Sequence, residues 1–504
     1  MDQVNIEAPR QADLAAGFVQ SSYAELPDRF YQRADLSPVR APKLIRLNRQ
    51  LAEDLNLDIG FLESEGGIAV LAGNASVKNV QPLALAYAGH QFGNFVPQLG
   101  DGRALLIGEA IDRGGKRRDI QLKGSGRTRF SRGGDGRAAL GPVLREYVVS
   151  EAMAALGIPT TRALAAVSTG EMVFREGAVP GAIFTRVAAS HLRIGTFQYF
   201  AARGDHEALK ALADYAIERH YSEAAAAETP YLALLENVVA AQARLVARWM
   251  LVGFIHGVMN TDNMSISGET IDYGPCAFMD SYHPGTVFSS IDAGGRYAYA
   301  NQPRIAVWNL ARLAEAMLPL LAASEDEAVA LAEAVLKKFQ ATYDGVFHKG
   351  LRRKLGLSAE HPEDLPLAAG LLEVMSANEA DFTLVFRGLG DDFAAVPGEG
   401  GTRKLFKRPE EFDGWAVRWK ERLAREPEFD VGRQEMMRSV NPKYIPRNHR
   451  VEEVIRAAVD RSDFSPFEEL LSVLARPFDE QPAHSAYVDP PKPEERVLET
   501  FCGT

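Results

Sequence analysis

The chain has 504 residues, of which 46% are hydrophobic and 24% are charged, and its formal net charge is −11. This length and composition are typical of a soluble globular protein with two or three domains, and they exclude collagen-like, heptad-repeat and low-complexity chains. Two cysteines, Cys276 and Cys502, are too few for a disulfide scaffold or a cysteine-based zinc site. The negative charge disfavours general binding to nucleic acids.

The N-terminal part, residues 1–68, is expected to form an arm that packs on the main body, with an amphipathic stretch near 44–55. Its start lacks a basic region followed by an apolar core, so no secretory signal is indicated. The most apolar stretch of the chain, 231–257, contains charged residues such as Glu236 and therefore indicates a buried helix, not a membrane span. A cytoplasmic protein without membrane contacts is expected.

Residues 69–195 alternate short strand-like runs with glycine-rich turns, which is typical of a strand-rich lobe. One helix interrupts the strands: Pro142 suits a first helical position, 143–156 supply helix formers and Gly157 ends it. The clearest strands are expected at 96–99, 104–107, 119–122 and 182–187.

Residues 196–488 show helical periodicity, with long helices expected at 231–255, 307–321 and 325–343, and 489–504 read as a proline-rich extended tail. The predicted fold class is α+β, a bilobal arrangement like that of protein kinases, with a small strand-rich lobe followed by a large helical lobe. Many α+β proteins share this order, so it does not by itself indicate a function.

A polar segment, His256-Gly-Val-Met-Asn-Thr-Asp-Asn263, follows the long apolar helix. After it come two short predicted strands around a turn at Gly268, and then Asp272-Tyr-Gly. Protein kinases place an Asn and the Asp of Asp-Phe-Gly in this order, and both bind the metal. Oxygen ligands suit Mg²⁺ or Mn²⁺, so Asn263 and Asp272 are predicted metal ligands.

A lysine and a glutamate upstream complete the kinase-like pattern. Lys123 ends a predicted strand and Glu146 lies on the single helix of the strand-rich region. In kinases such a lysine grips phosphate oxygens and is oriented by the glutamate, so both are predicted nucleotide-binding residues. Glu151, on the same helix, is the alternative partner.

Segment 113–145 contains ten basic and two acidic residues, a local charge of +8. It predicts a site for a compact polyanion, with a solvated basic face as the alternative. A nucleic-acid surface is disfavoured because Phe130 is the one aromatic residue within it. No Walker A motif occurs, and the nearest glycine-rich feature is Gly100-Asp-Gly-Arg103, for which a structural turn is an equal alternative.

The polar segment 256–263 corresponds to the catalytic loop of a kinase but lacks the residue that accepts the proton there. A kinase has an Asp five residues before the Asn, but that position is Val258 here, which cannot accept a proton. The carboxylate of this loop is Asp262, next to Asn263. Two alternatives stay open: a small-molecule or protein phosphotransferase, against which the missing base counts, and a non-catalytic ATP-binding pseudokinase, against which the intact metal pair counts.

Several long motifs resemble the selenoprotein O family of YdiU-like proteins. They are Ala88-Gly-His-Gln-Phe-Gly93, Lys123-Gly-Ser-Gly-Arg127, Ser131-Arg-Gly-Gly-Asp-Gly-Arg137, His256 to Gly274, and Asn441-Pro-Lys-Tyr-Ile-Pro-Arg-Asn-His449. The resemblance extends from about residue 83 to the C-terminus. It implies a pseudokinase fold that transfers AMP from ATP to Ser, Thr or Tyr hydroxyls of acceptor proteins, with an inverted nucleotide and pyrophosphate as the leaving group. It leaves open UTP as a donor and the choice between Mg²⁺ and Mn²⁺.

The resemblance also implies roles for individual residues. Asp262 corresponds to the base, and Asn263 and Asp272 to the metal ligands. The residues that it assigns to the nucleotide are Gly100, Gly102, Arg103, Lys123, Asp135, Gly136, Arg186 and Arg193. The family has a reactive Cys or selenocysteine third from the C-terminus, so a reversible Cys276–Cys502 disulfide is the redox prediction, with two unrelated thiols as the alternative.

Three further polar residues of these motifs have less defined roles. His90 is expected to be a structural histidine that bonds to backbone near the pocket, with a functional role as the alternative. Arg447 and His449 either contact the substrate or brace the large lobe, and the sequence leaves both readings open.

Overall fold

The structure is a computed structural model that describes residues 10–12, 17–396, 398–426 and 432–501. It is α+β, as the sequence predicts. The strands are β1 Arg10–Ala12, β2 Phe18–Val19, β3 Tyr31–Arg33, β4 Lys43–Leu47, β5 Ala75–Val77, β6 Leu83–Leu85, β7 Gly89–Gln91, β8 Asn94–Val96, β9 Ala104–Ile111, β10 Arg117–Lys123, β11 Ala138–Ala139, β12 Arg162–Phe174, β13 Ala178–Ala188, β14 Phe254–Ile255 and β15 Ala277–Phe278.

The helices dominate the second half of the chain. They are α1 Arg49–Asp54, α2 Ile59–Leu62, α3 Glu65–Leu71, α4 Leu140–Ala155, α5 Ile194–Ala201, α6 His206–His220, α7 Pro230–Leu251, α8 Gln302–Leu321, α9 Glu325–Lys354, α10 Asp364–Asn378, α11 Phe382–Asp392, α12 Pro409–Leu423, α13 Arg433–Val440, α14 Asn448–Arg461 and α15 Ser465–Leu474. Among the described residues, none of these helices is long and apolar enough to cross a membrane.

A nine-stranded antiparallel sheet is the main β element. Its strand order is β3-β6-β9-β10-β13-β12-β4, while β2 pairs with β9 and β11 pairs with β13. Three of these strands, β2, β3 and β4, come from the N-terminal segment expected to be an arm. The amphipathic stretch near 44–55 is accordingly split into a strand, β4, and a short helix, α1, that begins after the capping side chain of Asn48.

Both faces of the sheet are covered by helices. Adjacent residues of a strand point to opposite faces, so neighbouring residues pack in different cores. On β13, Ile183 packs in a core with Leu51, Leu62 and Leu71 of helices α1–α3. Its neighbour Phe184 packs in a second core with helices α4, α14 and α15. A third and larger core holds α5–α13 together.

Helix α4 begins at Leu140, so Pro142 is its third residue and not its first. Gly157 follows its C-terminus with a φ of +75°, where a left-handed conformation favours glycine. The long helices were also placed correctly by their periodicity: α7 and α8 match closely, and α9 continues to Lys354, well past the expected end.

Two sequence expectations are wrong. The strand expected at 96–99 is instead β8 at Asn94–Val96, which forms a hairpin with β7. The hairpin expected around Gly268 does not form, since its two flanks pair with other segments: Ser265 bridges Arg193, and Thr270 bridges Thr160. Those pairings fasten the segment before Asp272 to the start of α5 and to the connection between α4 and β12.

Candidate active site

The centre of the site is the carboxylate of Asp272, which three cations surround. Lys123 Nζ lies 2.9 Å and Arg186 Nη1 2.7 Å from Oδ1, and Arg193 Nη1 lies 2.5 Å from Oδ2. Burial raises the pKa of Asp272, but Lys123, Arg193 and Arg186 outweigh it and hold that pKa well below its usual value. The carboxylate is therefore an anion that holds three basic side chains in place.

Glu146 is the second anion of this cluster. Its Oε2 lies 2.7 Å from Lys123 Nζ and its Oε1 lies 3.3 Å from Arg186 Nη1. The alternative partner, Glu151, instead pairs with Arg162 at 2.8 Å. The strand lysine and the helix glutamate are thus joined as the kinase pattern predicts.

Strand register and helix geometry bring these side chains together. Gln121 of β10 pairs with Arg186 of β13, and Lys123 is two residues further on the same face. Arg193 is the N-cap residue of α5. Asp272 has a φ of +65°, a left-handed conformation that is unusual outside glycine but tolerated by Asp, and this turns its carboxylate toward the cluster.

A buried hydrogen-bonded chain extends the cluster and was missed from the sequence. Arg186 Nη2 donates to Gln121 Oε1 at 2.6 Å, and Gln121 Nε2 donates to Asp101 Oδ2 at 3.0 Å. Burial raises the pKa of Asp101 to about 6 against the opposing effect of Arg193. Gln121 could have been found because it alternates with Lys123 along β10 and so lies on the same face of the strand. Tyr87, whose ring centre lies 4.9 Å from the Arg193 guanidinium, has no such sequence signal.

Asp262 lies next to this cluster. Arg193 Nη1 donates to its backbone carbonyl at 2.5 Å, while Gln91 Nε2 donates to its Oδ2 at 3.2 Å. Burial raises the pKa of Asp262 to about 6, although Arg193 and Gln91 oppose the shift. Its Oδ1 is buried and has no hydrogen-bond partner among the described residues.

Asn263 completes the loop. Its Nδ2 donates to the carbonyl of Val258 at 3.0 Å, which leaves the side-chain oxygen as the atom suited to a cation. Within the described parts of the chain, no group of three or more His, Cys, Asp or Glu residues could hold a metal ion. Mg²⁺ is commonly held by one or two carboxylates together with substrate phosphates, so Asn263 and Asp272 fit that mode and not a cage made of protein ligands alone.

The glycine-rich segment packs under a second loop. Gly100 has a φ of +74°, and a Cβ there would lie 2.3 Å from the ring of Phe130. A Cβ on Gly102 would lie 2.7 Å from the backbone oxygen of Phe130. Gly124 N donates to the carbonyl of Arg103 at 2.7 Å, so this segment lies beside the end of the strand that carries Lys123.

Asp135 and Gly136 are placed differently. Asp135 lies in a half-exposed ion pair with Arg175, at 2.9 Å, which lowers its pKa. Gly136 has a φ of +67° and packs against Gly126, with a hydrogen bond from Gly126 N to its carbonyl at 3.1 Å. Both belong to the loop after Lys123, and these partners are not members of the Asp272 cluster.

The basic segment 113–145 does not form one continuous patch. Several of its members pair with acids from other elements: Arg113 with Asp54, Arg117 with Glu109, Arg118 with Asp112, and Arg145 with Glu452. Lys123 is the member that reaches the Asp272 cluster. The two further cations of the site, Arg186 and Arg193, lie outside the segment.

The residues of less defined role are now placed. His90 Nδ1 accepts from Gln198 Nε2 at 2.8 Å, a side-chain partner where a backbone one was expected. Arg447 is fully buried and pairs with Asp280 and Asp381, so it braces the helical region. His449 is buried, and desolvation lowers its pKa to about 4. Cys276 is buried, whereas Cys502 lies outside the described residues.

Comparison with known proteins gives this site its context. A family model described as "Protein adenylyltransferase SelO" matches residues 14–475. The chain is 63% identical to the "Protein nucleotidyltransferase YdiU" of Rhodopseudomonas palustris (strain BisB5) over 96% of this chain and 98% of the relative. It is 62% identical to the protein of the same name from Bradyrhizobium sp. (strain BTAi1 / ATCC BAA-1182), over 96% and 99% of the two chains.

These matches define the class of the protein: it is an enzyme, a protein nucleotidyltransferase. More narrowly, the chain belongs to the SelO family of protein adenylyltransferases. ATP as a substrate follows from that membership.

Proposed function

We propose that this protein transfers AMP from ATP to Ser, Thr or Tyr hydroxyls of other proteins, on a bilobal kinase-like fold with the nucleotide inverted. The observation that carries the proposal is the pair of deeply buried guanidinium groups, Arg186 and Arg193, on the same carboxylate as Lys123. A kinase uses one strand lysine at this place. The additional cations suit a triphosphate whose β- and γ-phosphates lie at the bottom of the site.

The charges of the cluster support a metal-assisted reaction. Lys123, Arg186 and Arg193 give three positive charges and Glu146 and Asp272 give two negative charges, a net charge of +1. That excess is too small to neutralise a triphosphate. Asn263 and Asp272 are the residues that would hold Mg²⁺ or Mn²⁺, and the ion would supply the missing positive charge at the phosphates.

Asp262 is proposed to accept the proton of the acceptor hydroxyl. The hydroxyl oxygen forms a bond to the α-phosphorus, the bond from that phosphorus to the bridging oxygen breaks, and pyrophosphate leaves. The pKa of about 6 keeps Asp262 mostly ionised at neutral pH while leaving it more basic than an ordinary Asp. Lys123, Arg186 and Arg193 stabilise the charge that moves onto pyrophosphate.

Further parts of the proposal concern partners. The acceptors are proteins, and neither nucleic acid nor a membrane is a partner. UTP is a second nucleotide that the same phosphate contacts would accept. A cytoplasmic location fits a reaction that consumes ATP and modifies cellular proteins.

The phosphotransferase alternative is favoured by one observation, the kinase-like Lys123–Glu146 pair at 2.7 Å. The experiment that separates the two reactions uses ATP labelled at either the α- or the γ-phosphate. We expect the α-label to become bound to protein, with an AMP-sized adduct in intact-mass spectrometry. Transfer of the γ-label with phosphate-sized adducts would establish phosphotransfer, and transfer of neither label would reject both reactions.

A further inference from the structure

The β7–β8 hairpin lies along the loop 256–263 and forms hydrogen bonds with three successive residues of that loop. His90 N donates to Thr261 Oγ1 at 2.7 Å, and Phe92 N donates to Asn260 Oδ1 at 3.1 Å. Between them, Gln91 Nε2 donates to Asp262 Oδ2 at 3.2 Å. Phe92 and Gly93 at the turn both have positive φ, which gives the tight two-residue connection that matches strand twist.

The hairpin is itself fixed to the helical region. Gln198 of α5 links the hairpin to the loop 256–263: it donates to His90 Nδ1 at 2.8 Å and accepts from Thr261 Oγ1 at 2.6 Å. Ala88 N donates to the carbonyl of Gly195 at 2.9 Å, at the start of α5. The position of the Gln91 amide is therefore determined by rigid neighbours and not by a free loop.

The two oxygens of the Asp262 carboxylate have different surroundings. Oδ2 accepts the hydrogen bond from Gln91, whereas Oδ1 is buried and has no hydrogen-bond partner among the described residues. A buried acceptor without a donor is rare in folded proteins and calls for a functional reason. Gly89 faces this oxygen: a Cβ at residue 89 would lie 2.7 Å from Oδ1 and 3.0 Å from the Asp262 Cβ.

We propose that Gln91 is a positioning residue for Asp262 and that glycine at residue 89 leaves the space that Oδ1 occupies. The Gln91 amide holds Oδ2, which fixes the rotation of the carboxylate, and Oδ1 is then the oxygen that takes the proton of the acceptor hydroxyl. Gln91 acts through Asp262 and makes no bond to the substrate. This inference rests on the proposed function, since it needs Asp262 to be the base.

Two substitutions at residue 91 separate positioning from space filling. Gln91→Glu keeps the shape but replaces the amide donor with a carboxylate, and Gln91→Met keeps the length without a polar group. For a positioning residue, both lower kcat by roughly 10- to 100-fold, because a misplaced catalytic group costs rate steeply. The KM for ATP and the melting temperature stay close to those of the wild type. Asn94→Ala is the matched control, since Asn94 pairs with Gln91 across the hairpin but is exposed.

Three outcomes overturn the inference. One is kcat within twofold of the wild type in both Gln91 variants, and another is full kcat in Gln91→Met alone, which would mean that the side chain only fills space. The third is a parallel fall of kcat and melting temperature, which would mark a structural role. Failure of the proposed function is distinct, because then the wild-type protein itself transfers no α-label.

Discussion

At the scale of single residues, Asp272 organises the site more than any other group described here. Burying a carboxylate with three cations is costly, and such clusters add little to stability unless they are well paired. Asp272 also has a left-handed backbone conformation, a strain that structures keep where function uses it. Its carboxylate holds Lys123, Arg186 and Arg193 together, as the proposed triphosphate site requires.

Asp272→Asn keeps the size of the side chain and removes its charge. We expect turnover to fall by about 10²–10³-fold, the loss typical of one preorganised charged partner in a site of this kind. ATP binding measured without divalent metal should not weaken, because the three cations lose a competing anion. Lys123→Ala should weaken ATP binding under the same conditions, because one of the three cations is removed.

Steady-state assays and calorimetry measure the two quantities. Asp214→Asn is the control, since that residue makes an exposed ion pair with Lys210 on α6. Turnover of Asp272→Asn close to that of the wild type would remove Asp272 from the active site.

Lys354 is a second residue whose environment predicts a measurable effect, in this case on stability. It is buried at the end of α9, with its ammonium group 4.4 Å from the centre of the Phe386 ring. Burial lowers the pKa of Lys354 to about 7. The unfolded chain, with an ordinary lysine pKa, therefore binds more protons between pH 7 and about 10.4, and the free energy of unfolding rises with pH across this window.

Lys354→Met removes the buried ammonium group and should raise the free energy of unfolding. The gain is largest below pH 7, where both states of the wild type are protonated, and it disappears as the pH approaches 10. Denaturant unfolding at pH 6, 8 and 10 measures it, with the exposed Lys349→Met as the control. A gain that does not depend on pH would show that lost packing or the cation–π contact dominates.

At the scale of elements, helix α4 is the part that connects the site to the C-terminal region. Its Glu146 faces Lys123, and the adjacent Arg145 faces away from it. Arg145 donates to the carbonyls of Gly274 and Cys276 and to Asn448 Oδ1, at 3.2, 2.5 and 2.7 Å. A Cβ on Gly141 would lie 2.9 Å from Ile455, so α4 and α14 are in close contact.

Arg145→Ala should therefore affect both stability and turnover. It leaves buried carbonyl and amide oxygens without a donor, which costs about 1–3 kcal/mol for each group left unsatisfied. It also frees α4 to move Glu146 away from Lys123, which lowers kcat. Denaturant unfolding and turnover assays measure the two effects. The exposed Arg456→Ala on α14 is the control, and equal effects of the two variants would contradict the linking role of α4.

The sequence predicted those elements whose signals are local. Helices α7, α8 and α9 follow from apolar periodicity, and α4 follows from Pro142 near its start and Gly157 after its end. The hairpin around Gly268 was wrong because its flanks satisfy their backbone groups with Arg193 and Thr160 instead of with each other. Strand β12, which pairs with both β13 and β4, was not predicted at all.

The residues of the candidate site divide in the same way, into those with a sequence signal and those without one. Lys123, Glu146, Asn263 and Asp272 were identified because their spacing matches a known arrangement, and Arg186 and Arg193 because of the family resemblance. The contacts of Gln91, Asp101 and Gln121 with the site were not predicted, since each is a hydrogen bond to a partner that no sequence pattern names. Gln91 lies 171 residues from Asp262, a pairing that the fold alone produces.

At the scale of the whole molecule, described segments from both the N-terminal and the C-terminal part of the chain pack on the elements that carry the site. N-terminal strands β3 and β4 occupy the two edges of the large sheet, and the C-terminal helices cover α4. The last described residues return to the segment after Asp272-Tyr-Gly. There Thr500 N donates to the carbonyl of Phe288 at 2.7 Å and Thr500 Oγ1 donates to the carbonyl of Pro275 at 2.6 Å.

This return of the tail bears on the redox prediction, whose second cysteine, Cys502, lies outside the described residues. Thr500 is bonded to the residue before Cys276, and Cys502 is two residues further along the chain. A Cys276–Cys502 disulfide would pin the tail across the segment next to Asp272, the proposed metal ligand, and a regulatory bond of this kind has to be reducible. We therefore expect dithiothreitol to change the transferase rate of the wild type and to leave Cys502→Ala unchanged. Non-reducing peptide mapping should find the cross-linked peptide in the wild type alone. An equal response of both proteins to reductant, with no cross-linked peptide, would mean that the two cysteines are unrelated thiols.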